Sequence, residues 1–96
     1  MAETPSMDEL LVRYREAAER SATPDENEAS RWAYEAHTLF KTLRETAEGR
    51  SGVSALMSDP HTQVRRWAAT HSLRWDREKA RAVLASLDAT PGAPPA

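Results

Sequence analysis

The side chains that could carry chemistry are few and widely spaced in this sequence. It has three histidines, His37, His61 and His71, and no cysteine. Their spacing gives neither an H-x-x-x-H nor an H-E-x-x-H pattern, so no two of them share a helix face as zinc ligands do. Without cysteine there are no disulfides, no thiolate metal sites and no cysteine nucleophile. We therefore expect no metal site and no cofactor.

Carboxylates and glycines give no stronger sign of catalysis. Glu16 with Glu19, and Glu45 with Glu48, are three residues apart and fall on predicted exposed helix flanks, as solvated surface residues do. There is no G-x-S-x-G motif, and the three glycines form no phosphate-binding loop. No nucleophile is placed beside a base. The sequence therefore predicts a protein that is not an enzyme.

The charges are divided unevenly between the two halves of the chain. Residues 1–48 hold 6 basic and 11 acidic side chains, whereas residues 49–96 hold 7 basic and 4 acidic ones, so a net charge of −2 hides halves of −5 and +3. Eleven of the 13 basic residues are arginines, whose planar donors stay charged at any physiological pH. An acidic half suits a basic partner, and an arginine-rich half suits an acidic protein or a phosphate backbone. The alternative is that some of these charges pair across the domain and the rest are solvated.

Helices are predicted to position these groups in the first half. Ser6 begins a capping box, and apolar residues at i, i+3, i+4 and i+7 behind it predict a first helix that Ser21 closes. Thr23 as N-cap, with a proline at the first helical position, predicts a second helix that runs to about Glu48. Gly49 would follow its C-cap. We expect this long helix to be the central element of the fold.

The second half predicts shorter helices. After a turn over residues 50–52, Val53 belongs to a short helix, and Asp59-Pro60 ends it and caps the next, which should finish near Ser72. Asp76 is the predicted cap of a last helix. Residues 90–96 predict a disordered tail by composition. No strand alternation is present. The prediction is one all-α domain over residues 1–89, a compact bundle of about five helices.

One stretch of the second half resembles a HEAT-type repeat unit. The residues that carry the resemblance are Val53-x-x-Leu56-Met57-x-Asp59-Pro60-x-x-x-Val64-Arg65-x-x-Ala68-Ala69-x-x-x-Leu73. In such units a helix ends in Asp-Pro, and a second helix begins with Val-Arg and continues with paired alanines. The resemblance implies a structural role for Arg65. The whole chain also resembles a small bacterial family of HEAT-like proteins, some encoded near polymorphic toxins.

These observations together predict a protein-binding module. The resemblance implies its most concrete form, an immunity protein that neutralises a cognate toxin. A nucleic-acid-associated or regulatory adaptor using an arginine-rich helical face is the alternative, although a sequence pI of about 5.9 is low for that class. Self-association as a weak homodimer is a third interpretation. The lack of a membrane-spanning apolar run, which needs roughly 20 residues, and of signal-peptide features predicts a cytoplasmic protein.

Two surfaces are candidates for the partner site, and the sequence does not choose between them. The first lies in the second half and comprises Arg66, Arg74, Trp75, Arg77 and Arg81. The second lies on the outward side of the long helix and comprises Glu28, Arg31, Tyr34, Glu35 and Thr38. Tyr34 points away from the apolar stripe and is the expected exposed aromatic. For Trp75, packing at a helix junction is the alternative to a partner contact.

The remaining aromatic and histidine side chains are assigned to structural roles. Four aromatic residues that fall on apolar stripes are predicted core residues: Tyr14, Trp32, Phe40 and Trp67. We expect His71 to be partly buried and hydrogen-bonded, and His61 to be solvated.

Overall fold

The fold is all-α, as predicted. A computed structural model describes residues 5–88, and the tail predicted over residues 90–96 lies outside that range. In this range the chain forms five α-helices and one 3-10 turn, and it contains no strand. The elements are α1 (Met7–Arg20), α2 (Glu26–Leu43), α3 (Ala47–Ala55), the 3-10 turn (Leu56–Ser58), α4 (Thr62–Ser72) and α5 (Arg77–Asp88).

The long central helix that the sequence predicts is instead two helices. α2 ends at Leu43, and Thr46 starts α3 as its N-cap, where its hydroxyl accepts a hydrogen bond from the backbone N–H of Gly49 at 2.9 Å. The predicted turn over residues 50–52 lies inside α3. The apolar stripe continues through the break, so periodicity alone does not reveal it. Thr46 is the local signal, because threonine favours the N-cap position.

Gly49 is inside α3 rather than after a C-cap, and the packing at the break explains why it is glycine. A Cβ at this position would overlap the backbone carbonyl of Leu43. The residue is buried, so α3 can fold back against the end of α2 only where one residue lacks a side chain.

Two predicted helix starts are also shifted along the chain. Asp25, not Thr23, is the N-cap of α2, and its carboxylate accepts from the N–H groups of Asn27 and Glu28. For α4 the cap is His61 rather than Asp59, and His61 Nδ1 accepts from the Gln63 N–H at 3.2 Å. His61 is half-buried, not the solvated residue that its position predicts.

The helices pack as two antiparallel pairs joined by α3 and the 3-10 turn. α1 and α2 form one pair, and α4 and α5 form the other, with Arg66 near the start of α4 beside Asp88 at the end of α5. α1 also packs against α3 and α4 and so connects the pairs. The side chains that are most completely buried between them are Tyr14, Phe40, Leu43, Val53, Met57 and Val64. The predicted core positions Tyr14 and Phe40 are thereby confirmed.

Trp32 and Trp67 are only half-buried, although their apolar stripes predict core positions. The Arg20 and Arg31 guanidinium groups lie 5.0 and 5.7 Å from the Trp32 ring, so cations cover the ring that the core does not enclose. Within residues 5–88, none of the helices combines the length and the apolar character that a bilayer span needs.

Candidate functional site

A polar pair lies at the centre of the bundle. The Tyr14 hydroxyl of α1 and the His71 Nδ1 of α4 are 2.7 Å apart. The His71 ring also stacks on Phe40 of α2, with centroids 3.8 Å apart and planes 2° from parallel. His71 is 8% exposed, which agrees with the predicted partly buried, hydrogen-bonded histidine. The pair thus links three helices through side chains distant in sequence.

Burial decides the protonation of both groups. Desolvation, assisted by the nearby His37 and Arg74, lowers the pKa of His71 to about 4, and burial raises the pKa of Tyr14. At neutral pH His71 is therefore neutral and Tyr14 keeps its proton. Either group can then act as the donor of this hydrogen bond, because the neutral imidazole carries its proton on one ring nitrogen or the other. A neutral histidine held in this way stabilises the bundle.

Trp75 is built into the interior beside this pair. Its indole N–H donates to the Ser54 hydroxyl of α3 at 2.8 Å, and its ring centroid lies 5.9 Å from that of Phe40. The side chain is half-buried. Packing at the helix junction is thus confirmed for Trp75, and a partner contact by its remaining exposed edge stays a prediction.

The four arginines predicted for the second-half site are exposed and belong to α4, to α5 and to the turn between them. Positions 77, 81 and 88 fall on one stripe of α5, because four residues make about one helical turn and seven make about two. The carboxylate of Asp88 lies 3.9 Å from the guanidinium of Arg66, which turns this stripe toward the exposed side of α4. We call Arg66, Arg74, Arg77 and Arg81 the basic face.

Most arginines of the basic face have no ion-pair partner among residues 5–88, and one close ion pair joins the two halves of the chain. Among residues 5–88, Arg74, Arg77 and Arg81 form no ion pair, and Arg66 has only the long contact with Asp88. The closest pair that joins the two halves is Arg15 with Asp59, whose guanidinium and carboxylate meet at 2.7 and 3.1 Å. Arg65 donates to the backbone carbonyls of Asp59 and Pro60, so it holds the connection before α4.

The first-half candidate surface is also exposed, as predicted. Arg31, Tyr34 and Glu35 lie on the outward side of α2, and Tyr34 is 75% exposed. The Thr38 hydroxyl donates to the Tyr34 carbonyl, as threonine commonly does within a helix. This surface belongs to a different helix pair from the basic face, so the two candidates are separate sites.

Sequence reasoning missed a groove between α2 and α4. One wall has small residues, Ala29, Ser30 and Ala33, and the other carries Trp67, whose indole N–H donates to the Ser21 hydroxyl at 2.9 Å. Cavities of about 250 and 290 Å³ adjoin Trp67. The full lining is Ser21, Ala29, Ser30, Ala33, Gln63, Arg66, Trp67 and Thr70. Two alanines four residues apart on α2 are the local signal, but they also suit a core stripe.

Neither the search for metal ligands nor the comparisons with known proteins give a further indication of function. Within residues 5–88, no group of three His, Asp or Glu side chains is arranged to hold a metal ion. Comparison of the chain with protein-family models, with curated proteins and with solved structures found no match. The resemblance of residues 53–73 to a HEAT-type unit stays a prediction.

Proposed function

We propose that this protein is a non-enzymatic binding module that docks an acidic protein partner through the basic face. The observation that carries the proposal is the exposure of four arginines on the α4–α5 pair and its connecting turn, with Asp88 as the single carboxylate paired to them among residues 5–88. Unpaired arginines attract a carboxylate-rich surface and offer it bidentate hydrogen bonds.

The fold supports this function by keeping the arginines in place. Ala80 and Leu87 of α5 are buried, as are Val64, Ala68 and Ala69 of α4, so each helix is anchored by its apolar side and presents its basic side to solvent. A rigid surface loses little conformational entropy on binding. The uneven charge of the chain adds long-range steering of an acidic partner.

The most concrete form of the proposal is an immunity protein that occludes a toxin, and it rests on the resemblance described above. Co-expression with each candidate toxin encoded beside this gene tests it. Survival of cells that carry the toxin, together with a complex that copurifies, supports the immunity role. Cell death in the presence of folded protein would exclude that toxin as the partner.

A charge-matched pair of variants tests the binding face itself. R77Q/R81Q removes two charges from the basic face, and R13Q/K41Q removes two exposed charges from α1 and α2. We expect the first variant to weaken partner binding at least about tenfold and the second to change it less than about threefold. Equal losses in both would show that net charge alone matters and would contradict the proposed face.

A nucleic-acid-binding adaptor is the second candidate, favoured by the same cluster of four arginines. Such binding would be driven by counterion release, so the logarithm of affinity would fall with the logarithm of salt with a slope of about −3 to −4 for four phosphate contacts. Fluorescence anisotropy with duplex and single-stranded DNA at low salt measures this slope. Binding lost in R77Q/R81Q would favour the adaptor, and no binding at low salt would exclude it.

A further inference from the structure

We infer that the α2–α4 groove binds one bulky apolar side chain of an acidic peptide segment, next to Trp67. This inference rests on the proposed function, because it names the kind of segment that the basic face receives. The groove lies directly beside Arg66, which belongs both to its lining and to the basic face. A segment bound to the basic face can therefore place a side chain into the groove.

The shape of the groove suits a side chain. Two open cavities of about 250 and 290 Å³ meet at Gln63 and Trp67. Ala29, Ser30 and Ala33 leave space on the α2 side, and no larger residue of α2 lines that space. The groove therefore has room for one large apolar side chain beside Trp67.

Trp67 gives the groove its apolar surface. The indole N–H is already satisfied by the Ser21 hydroxyl, and that hydroxyl in turn donates to the Ala18 carbonyl at 2.7 Å. The half-buried ring is therefore fixed in place without a polar group left unpaired, and part of its surface remains open. Partly exposed tryptophans in such settings are enriched among the residues that contribute most to binding.

The charges around the groove select an acidic segment. Its lining contains one positive charge, Arg66, and no carboxylate. The Asp88 carboxylate holds Arg66 only weakly, since the two groups are 3.9 Å apart and the Asp88 side chain is 78% exposed. An incoming carboxylate can displace it.

Arg74 is a second exposed arginine, beyond the far end of α4. It lies in the turn after Ser72, whereas the groove adjoins Gln63, Arg66 and Trp67 nearer the start of that helix. A segment that places an apolar residue in the groove therefore needs an acidic residue beside it to reach Arg66. The expected segment has one large apolar residue next to an acidic one.

Selection from a displayed library of random peptides, with the full chain as target, tests this inference. We expect enriched peptides to combine acidic residues with one large apolar residue. A33Q narrows the groove without altering charge, and A85Q is the matched control at an exposed position of α5. Fluorescence polarisation of one enriched peptide should show at least about tenfold weaker binding to A33Q and unchanged binding to A85Q.

S30Q also narrows the groove, from an exposed position on its α2 wall. It therefore tests the inference even where A33Q lowers the stability of the protein. Peptides whose binding is unaffected by S30Q and A33Q would overturn the inference, as would enrichment without acidic residues or no enrichment at all. If a protein partner binds the basic-face variants more weakly but binds S30Q and A33Q as tightly as wild type, the groove inference is wrong and the proposed function still holds. If the partner binds the basic-face variants as tightly as wild type, the proposed function is wrong.

Discussion

The Tyr14 hydroxyl and the His71 Nδ1, 57 residues apart in sequence, lie 2.7 Å apart in the centre of the bundle. The hydrogen bond joins α1 to α4, and the stacking of His71 on Phe40 adds α2 to the same cluster. Because a buried polar atom without a partner is costly, each of these two groups requires the other. Because His71 can take up a proton, the stability of the fold depends on pH.

We expect the free energy of unfolding to fall as the pH is lowered from about 6.5 to 4. The pKa of His71 is lowered to about 4 in the folded state, so the unfolded chain binds more protons in this window. The stabilisation is therefore complete above the unfolded pKa of about 6.5 and is lost as pH falls toward 4. The full effect is on the order of 3 kcal/mol. Urea denaturation at a series of pH values measures it.

The double variant Y14F/H71F is the control for this pH dependence. It keeps two rings in the core and removes the titrating group, so its unfolding free energy should change much less between pH 6.5 and 4.5. An equally steep change in wild type and variant would assign the effect to other groups.

Tyr14→Phe alone should destabilise the protein by about 1–2 kcal/mol at neutral pH. The substitution leaves the buried His71 Nδ1 without its hydrogen-bond partner, whereas the ring still fills its place in the core. Replacing both partners by phenylalanine removes the unpaired atom, so Y14F/H71F should be more stable than the sum of the two single changes predicts. Chemical denaturation of all four proteins gives this coupling, and additive losses would contradict the hydrogen bond.

Asp59→Asn should cost about 1–2 kcal/mol, because the amide cannot replace the charged, two-point contact with Arg15. The Asp59 side chain is 9% exposed, and hydrogen bonding to Arg15 lowers the pKa of its carboxyl group. Its stabilisation is present above the unfolded pKa and is lost as pH falls below it. Glu16→Gln is the matched control: the Glu16–Arg20 pair is about half-exposed and should change stability by less than about 0.5 kcal/mol.

Gly49→Ala should destabilise the protein by more than about 2 kcal/mol, since the new methyl group meets the fixed carbonyl of Leu43. Gly52→Ala is the comparison within the same helix. There the methyl group meets the end of the Leu11 side chain, which can move, and alanine favours helix by about 1 kcal/mol. We therefore expect only a small net change in stability for Gly52→Ala. Thermal unfolding of both variants measures the contrast, and a stable G49A would argue against the close approach of α3 to α2.

Asp88→Asn should strengthen binding of an acidic peptide about two- to fivefold at low salt. The substitution removes the carboxylate that competes for Arg66. Glu78→Gln provides the control, because it removes the same charge from an exposed position of α5 that has no described contact with Arg66. Titration of both variants with the peptide selected on wild type distinguishes a local effect from a change in net charge. An equal gain in affinity for both variants would show that the change in net charge alone is responsible.

Much of the fold was predictable from local sequence. The Ser6 cap is confirmed by the hydrogen bond that its hydroxyl accepts from the Glu9 N–H, and the end of α4 at Ser72 is confirmed as well. Such signals depend only on neighbours a few residues away. The break between α2 and α3 was missed, because the apolar stripe runs through it and only the close approach of Gly49 to Leu43 shows why it is there.

The exposure of Tyr34 and the basic character of the second half are properties of the sequence by itself, since they follow from side-chain type and helical spacing. Tertiary structure alone decided that Tyr14 meets His71, that Arg15 pairs with Asp59 and that Trp67 borders an open groove. Each of these depends on how separate helices pack. Helical periodicity predicts which side of a helix is apolar. It does not predict which other helix covers that side, or how completely that side is buried.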